Sequence, residues 1–131
     1  MVKKNDELAG ELMKKRAGGD QARTAYKRGY KFEVEVREAL RNAGWWVHRM
    51  HQSRGAMDLI AIRPESQVGV AHVAFVQCKA YQAVIRAADV ERLKNESHTA
   101  GAQTVFAMLV NGRVNWCMLV HSTGALVDWR P

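Results

Sequence analysis

Three side chains with complementary chemistry fall on two neighbouring predicted strands between Gly55 and Ala80. Asp58 lies near the start of MDLIAI, and Gln77 and Lys79 lie at the end of AHVAFVQCK. Side chains alternate between the two faces of a strand, so Gln77 and Lys79 share a face and Cys78 points the other way. If a hairpin places Asp58 opposite this pair, a carboxylate, an amide oxygen and an ammonium meet at one sheet edge. A divalent metal ion acting on a phosphate can use all three groups.

Each of these residues also has an ordinary structural interpretation. Asp58 can cap a turn, and Lys79 can keep its methylene chain buried while its ammonium reaches water from a strand end. Taken one at a time, these interpretations are the simpler ones. Taken together, these interpretations require the acid, the amide and the lysine to lie on neighbouring strands by coincidence. They also leave unexplained a further acid, Glu33, which borders an apolar helical stripe upstream. That combination favours a site over a set of unrelated surface residues.

The helix that carries Glu33 is predicted over 23–43. Its apolar residues follow the 3,4 spacing of a helix face buried on one side, and they are Phe32, Val36, Ala39 and Leu40. Gly44 follows at the position where glycine commonly ends a helix. Helix position alone makes Glu33 a boundary residue whose carboxylate reaches water, and a site between helix and sheet is the alternative. Glu35 and Glu38 lie on the outer side.

The remaining pattern predicts strands and one more helix. Strands are predicted at 45–51, 57–62, 71–79, 104–110 and 114–120, and a helix with a 3.6-residue period is predicted over 81–101. Asn111-Gly112 is typical of a type I′ hairpin turn. The fold class is therefore α/β, with a central mixed five-stranded β-sheet flanked by helices in the order α-β-β-β-α-β-β. Trp129, near the end, is either a core residue or part of a subunit contact.

Length and charge limit the class of protein. A chain of 131 residues predicts one domain over 23–131, preceded by a basic arm or short helix over 1–22. The formal net charge is +7, and 11 of the 20 basic residues lie in the first 41 positions. This surplus suits a polyanionic partner, with nucleic acid first and an anionic membrane surface second. A solvated charged face is the simpler explanation of such a run.

The cysteines and the hydropathy pattern favour a cytoplasmic protein. Cys78 and Cys117 fall in predicted strands without metal-ligand spacing, so both are expected to be reduced core residues. There is no charged-then-apolar leader and no apolar run of about 18 residues, so neither export nor membrane spanning is expected.

Three segments together resemble a known nuclease superfamily. They are KRGYKFEVEVREAL (27–40), SRGAMDLIAI (53–62) and VAFVQCKA (73–80). In this order and on these elements they resemble the PD-(D/E)XK nucleases, and most closely the archaeal-type Holliday junction resolvases and their phage relatives. The resemblance implies a restriction-endonuclease-like fold and a Mg²⁺-dependent DNA endonuclease, with Mn²⁺ as a possible substitute. It also implies a homodimer that resolves four-way junctions by paired symmetric nicks in the cytoplasm, and a phage-encoded protein acting in the host cytoplasm is compatible with it.

The same resemblance assigns roles to individual residues. The catalytic set is Glu33, Asp58, Gln77 and Lys79. The metal ligands are Glu33, Asp58, Gln77 and the backbone carbonyl of Cys78. The DNA-binding residues are Lys27, Arg28, Lys31, Ser53 and Arg54.

Gln77 departs from the family pattern, which has Glu or Asp at this position. An amide offers an oxygen without a charge, so metal affinity is expected to fall. Two alternatives to a junction resolvase stay open, and Gln77 motivates the second of them. One is another nuclease of the superfamily with a restriction or repair role, and the other is a DNA-binding relative that has lost catalysis.

Overall fold

In the described part of the chain the fold consists of two helices and a six-stranded sheet. The structure is a computed structural model that describes residues 27–50, 57–66, 69–80 and 85–131. Its elements are helix α1 over 27–42, strands β1 Trp46–Arg49, β2 Leu59–Pro64 and β3 Ala71–Lys79, helix α2 Ala87–Ala100, and strands β4 Gln103–Val110, β5 Arg113–Leu119 and β6 Leu126–Asp128. No helix within these ranges is long and apolar enough to cross a membrane. The predicted arm over 1–22 lies outside the described residues.

The sheet is mixed, as predicted. Its strand order is β1-β2-β3-β4-β5-β6, and every neighbouring pair is antiparallel except β3 and β4. Helix α2 connects these two parallel strands, because parallel neighbours need a long crossover. The predicted α/β fold class is confirmed, but the sheet has six strands where five were expected. The additional strand, β6, has only three residues, all exposed, and pairs with the edge of β5.

The two faces of the sheet carry two separate cores. The α1 side is built on the helix stripe of Phe32, Val36 and Leu40, which are 2%, 0% and 0% exposed. Along β3, Ala74 and Val76 join this core, whereas Phe75 joins the core beneath α2. β3 is therefore buried on both faces, as its nearly continuous apolar character predicted.

The chain turns at glycines that adopt positive φ angles. Asn111 and Gly112 have φ values of 51° and 74°, as the predicted type I′ turn between β4 and β5 requires. Gly101 ends α2 in the left-handed conformation.

Trp129 is half-buried and packs against the α1-side core. Its ring lies 5.6 Å from that of Trp45 and 5.5 Å from that of Trp116, measured between centroids. Both partners lie on the α1 side of the sheet. The ring of Trp129 therefore adds to the packing of the larger core.

Candidate active site

The backbone of Asp58, which directly precedes β2, is held by a hydrogen bond on each side. Its N–H donates to the carbonyl of Val76 at 2.8 Å, and its carbonyl accepts from the N–H of Met50 at 2.9 Å. In the antiparallel register Leu59 lies opposite Val76. Continuing that register by one residue places Asp58 opposite Gln77. The hairpin arrangement expected from the sequence is therefore present.

The carboxylate of Asp58 is held at the end of β3 with its charge poorly compensated. Its Oδ2 accepts a hydrogen bond of 2.7 Å from the N–H of Cys78. Burial raises the pKa of Asp58, and the negative charge of Glu33 raises it further. The Cys78 N–H and the positive charges of Lys79 and Arg49 oppose this rise only in part. A cation bound at this carboxylate would favour its ionised form.

Gln77, which the register places opposite Asp58, carries a second candidate ligand oxygen. The side chain is half-buried, and its Oε1 is a buried acceptor with no hydrogen-bond partner in the part of the chain that the structure describes. A buried acceptor without a partner costs about 1–3 kcal/mol. Water or a metal ion beside Asp58 would satisfy this oxygen, so the residues present fit a hard divalent cation.

The strand alternation predicted for β3 is present at its end. The Cys78 side chain packs with the α1-side core, and Lys79 reaches towards α2. Burial raises the pKa of the Cys78 thiol well above its usual range, and the charge of Asp58 adds to the rise. Because that side chain packs against the core and a thiol is a soft ligand, the backbone carbonyl is the group of Cys78 that a hard cation would use.

Lys79 is held by an acid that sequence reasoning missed. Its Nζ lies 3.2 Å from Oδ2 of Asp89, in the first turn of α2. The two side chains are 24% and 33% exposed. The sequence signal that could have identified Asp89 as the partner of Lys79 is its place in the first turn of the crossover helix, because that turn follows the end of β3 closely in the chain. The ammonium is thus oriented from the helix side of the site.

Glu33 approaches the site from α1 and is paired with Arg49 of β1. Arg49 Nε lies 2.7 Å from Glu33 Oε2, and the two side chains are 20% and 19% exposed. The guanidinium also lies 4.7 Å from the centre of the Tyr30 ring. Among the described residues no three His, Cys, Asp or Glu side chains come close enough to hold a metal ion. The oxygens that these residues would offer a metal ion are the carboxylate of Asp58, the amide oxygen of Gln77 and a backbone carbonyl.

Basic residues of α1 border a cavity beside the site. Lys27, Arg28 and Lys31 are exposed. Arg28 and Lys31 line a cavity of about 320 Å³, whose remaining described lining is Phe32, Glu35, Ala80 and Leu109. Ala80 follows Lys79 directly, so the cavity continues from the end of β3. Ser53 and Arg54, the other predicted DNA-binding residues, lie outside the described residues.

Comparison with known families agrees with this architecture. Residues 26–114, well over half of the chain, match Mrr_cat, a restriction endonuclease family. The chain belongs to this restriction endonuclease family. The match includes Glu33, Asp58, Gln77 and Lys79, and the predicted resemblance to the PD-(D/E)XK nucleases is confirmed. No curated protein matches the chain.

Among solved structures, this restriction endonuclease family member is similar to Hjc of Archaeoglobus fulgidus, a Holliday junction resolvase from an archaeal hyperthermophile. The TM-score is 0.53 at 22% sequence identity, over 69% of this chain and 70% of that one. At this identity the likeness shows the fold, which is the restriction-endonuclease-like fold expected from the sequence.

Proposed function

We propose that this nuclease is a metal-dependent, structure-selective DNA endonuclease that resolves four-way junctions. One observation carries the proposal. In a chain of a restriction endonuclease family, the end of β3 carries a lysine whose charge acts on Asp58 and an amide oxygen without a partner among the described residues, next to the acid that precedes β2. The fold shared with an archaeal junction resolvase supports the choice of substrate. Such a substrate implies action where recombining DNA is present, in the cytoplasm.

Asp58, Gln77 and the Cys78 carbonyl would hold Mg²⁺, or Mn²⁺ in its place. When bound, the ion lowers the pKa of a coordinated water and neutralises charge on the scissile phosphate. Mg²⁺ is commonly held by one or two carboxylates and retains several waters. A site with one charged ligand and two neutral oxygens is consistent with this coordination. Its affinity for Mg²⁺ should be lower than that of a site with two acids.

Lys79 and Glu33 would act on either side of this centre. The Lys79 ammonium can donate hydrogen bonds to phosphate oxygens and stabilise the charge that develops in the transition state. Asp89 holds Lys79 in place before the substrate arrives. Glu33 would orient water from the α1 side, where Arg49 holds its carboxylate and where its charge acts on Asp58.

DNA would approach across α1. Lys27, Arg28 and Lys31 are exposed, and the chain carries a net charge of +7. Phosphate contacts of this kind position a nucleic acid without reading its bases. A homodimer would present two such sites to the two strands of a symmetric junction. Each phosphate contact removed should reduce the salt dependence of binding by about one unit of slope.

The decisive experiment is incubation of the purified chain with a synthetic four-way junction, with Mg²⁺ and with EDTA. We expect paired nicks only with Mg²⁺. Lys79→Ala should abolish cleavage and leave junction binding largely intact, and the control Arg113→Ala, at an exposed position on β5, should cleave normally. Full Mg²⁺-dependent cleavage by Lys79→Ala would contradict the site assignment.

The family match also favours a second candidate, cleavage of linear duplex DNA in a restriction or repair role. A panel of linear, nicked, flap and branched substrates separates the two, because a resolvase prefers the junction and a restriction-like nuclease does not.

The neutral Gln77 favours a third candidate, a DNA-binding relative without catalysis. Gln77→Glu distinguishes it. A gain of cleavage from an inactive parent would indicate a lost site, and unchanged cleavage would support an active one.

A further inference from the structure

Two histidines that the candidate active site does not use meet at the opposite end of the sheet. His98 lies in the last turn of α2, and His121 follows β5. Their Nδ1 atoms are 3.4 Å apart, with ring centroids separated by 5.6 Å. Thr104 contacts His121 near the start of β4, whereas Lys79 lies opposite Met108 on that strand. The four-residue offset along β4 amounts to about 13 Å.

The orientation of the His121 ring is fixed by a contact at the ring nitrogen that does not face His98. Its Nε2 lies 2.7 Å from the hydroxyl oxygen of Thr104, a residue with 0% exposure. A neutral imidazole has one N–H and one lone pair. When Nε2–H donates to Thr104, the lone pair of His121 Nδ1 is directed at His98. Metal-binding histidines are oriented in this way, with the second ring nitrogen donating to a fixed acceptor.

The spacing of the two Nδ1 atoms matches a tetrahedral metal site. With Zn–N bonds of about 2.0–2.1 Å, two ligand nitrogens of tetrahedral Zn²⁺ lie about 3.3–3.4 Å apart. A direct hydrogen bond between the rings would be long at 3.4 Å. When the proton of His98 also lies on Nε2, both Nδ1 atoms carry lone pairs on the near sides of the two rings, and a shared cation would accept both.

We propose that His98 and His121 form a two-histidine site for a divalent transition-metal ion, with Zn²⁺ as the representative. Within the described ranges no third His, Cys, Asp or Glu completes a cluster, so water fills the remaining positions. His98 is exposed and His121 is half-buried, so an ion has access from solvent. Imidazole selects Zn²⁺ and its neighbours, whereas Mg²⁺ prefers oxygen, so this site is chemically distinct from the one at Asp58.

Such an ion would join the end of α2 to the segment after β5. A cation that binds only the folded chain stabilises it by mass action. It would also restrain α2, the helix whose first turn holds Lys79 through Asp89. The site is independent of the proposed nuclease function, so the failure of one leaves the other standing.

The test is calorimetric titration of the tag-free full chain with ZnCl₂ in buffer that contains millimolar MgCl₂, which occupies oxygen sites. One Zn²⁺ per chain is expected. Both His98→Ala and His121→Ala should weaken binding by at least about tenfold. His72→Ala is the matched control, because His72 is exposed and pairs with Glu65, and its Zn²⁺ binding should equal that of the parent.

A second measurement identifies the atoms. In ¹⁵N spectra of the imidazoles, Zn²⁺ should shift Nδ1 of His98 and His121 and leave His72 unchanged. Thr104→Val should weaken binding by about 10–100-fold, the usual effect of removing an orienting partner. Far-UV circular dichroism in EDTA checks that each variant is folded. If His121→Ala is unfolded, the Zn²⁺ affinity of His98→Ala is sufficient for the test, because His98 is exposed. Absence of Zn²⁺ binding by the parent, or undiminished binding by His98→Ala, would overturn the proposal.

Discussion

Replacing Asp58 with Asn is expected to stabilise the metal-free protein and abolish its cleavage of DNA. Asn has nearly the same shape and keeps an oxygen for the N–H of Cys78. It removes the negative charge that burial and Glu33 disfavour. The negative charge of Asp58 destabilises the folded protein without metal, and the same charge would hold the metal ion.

The sign follows from the raised pKa of Asp58. An acid with a higher pKa in the folded state binds protons more tightly when folded, so stability falls as the pH rises above the unfolded-state pKa of about 3.9. The loss is complete above the folded-state pKa and amounts to about 1.4 kcal/mol for each unit of elevation. Because Asp58 is only half-buried, solvent screening reduces the effect. We expect Asn to raise the free energy of unfolding at pH 7 by on the order of 1 kcal/mol, or Tm by roughly 3–5 °C.

The assay is urea denaturation in EDTA between pH 4 and pH 8. The advantage of Asp58→Asn should be largest near neutral pH, decrease as the pH falls through the raised pKa of Asp58, and vanish near the unfolded-state value. Glu91→Gln, an exposed acid on α2, is the matched control and should change stability by less than about 0.5 kcal/mol. Millimolar Mg²⁺ should stabilise the parent and not Asp58→Asn.

Two results would refute this reasoning. One is an Asp58→Asn variant less stable than the parent at pH 7 in EDTA, which would mean that existing contacts already compensate the charge. The other is a stability difference that stays constant from pH 4 to pH 8, which would mean that it does not arise from ionisation of Asp58.

Three further predictions concern neighbouring features. Arg49→Gln breaks the partly buried pair with Glu33. It should lower the free energy of unfolding, measured by urea denaturation, by about 1–3 kcal/mol, a value between those of exposed and buried ion pairs. An unchanged denaturation midpoint would contradict this prediction. Trp129→Ala removes the ring packed on Trp45 and Trp116 and should cost about 2–4 kcal/mol in the same assay. Gln77→Glu adds a second charged ligand and should tighten Mg²⁺ binding in calorimetric titration, whereas equal affinity would remove Gln77 from the metal set.

Much of the fold could be predicted because its elements carry strong local patterns. The stripe of Phe32, Val36 and Leu40 has helical spacing, and β3 was predicted with the bounds that the structure gives. Asn111-Gly112 specifies its turn because both residues tolerate positive φ. β6 was missed because three exposed residues are too few to show a period, and the strand exists only by pairing with β5.

The candidate site, too, could be predicted from the sequence only in part. The sequence by itself determined the acid, amide and lysine and their faces, since strand alternation and the order of the segments depend only on the chain. Only the tertiary structure decided which neighbours these side chains have. Arg49 pairs with Glu33 across 16 positions of sequence, and Asp89 reaches Lys79 across 10. His98 and His121 meet across 23. No local pattern records these contacts, because each depends on how a helix packs on the sheet, and that packing is set by the buried apolar residues.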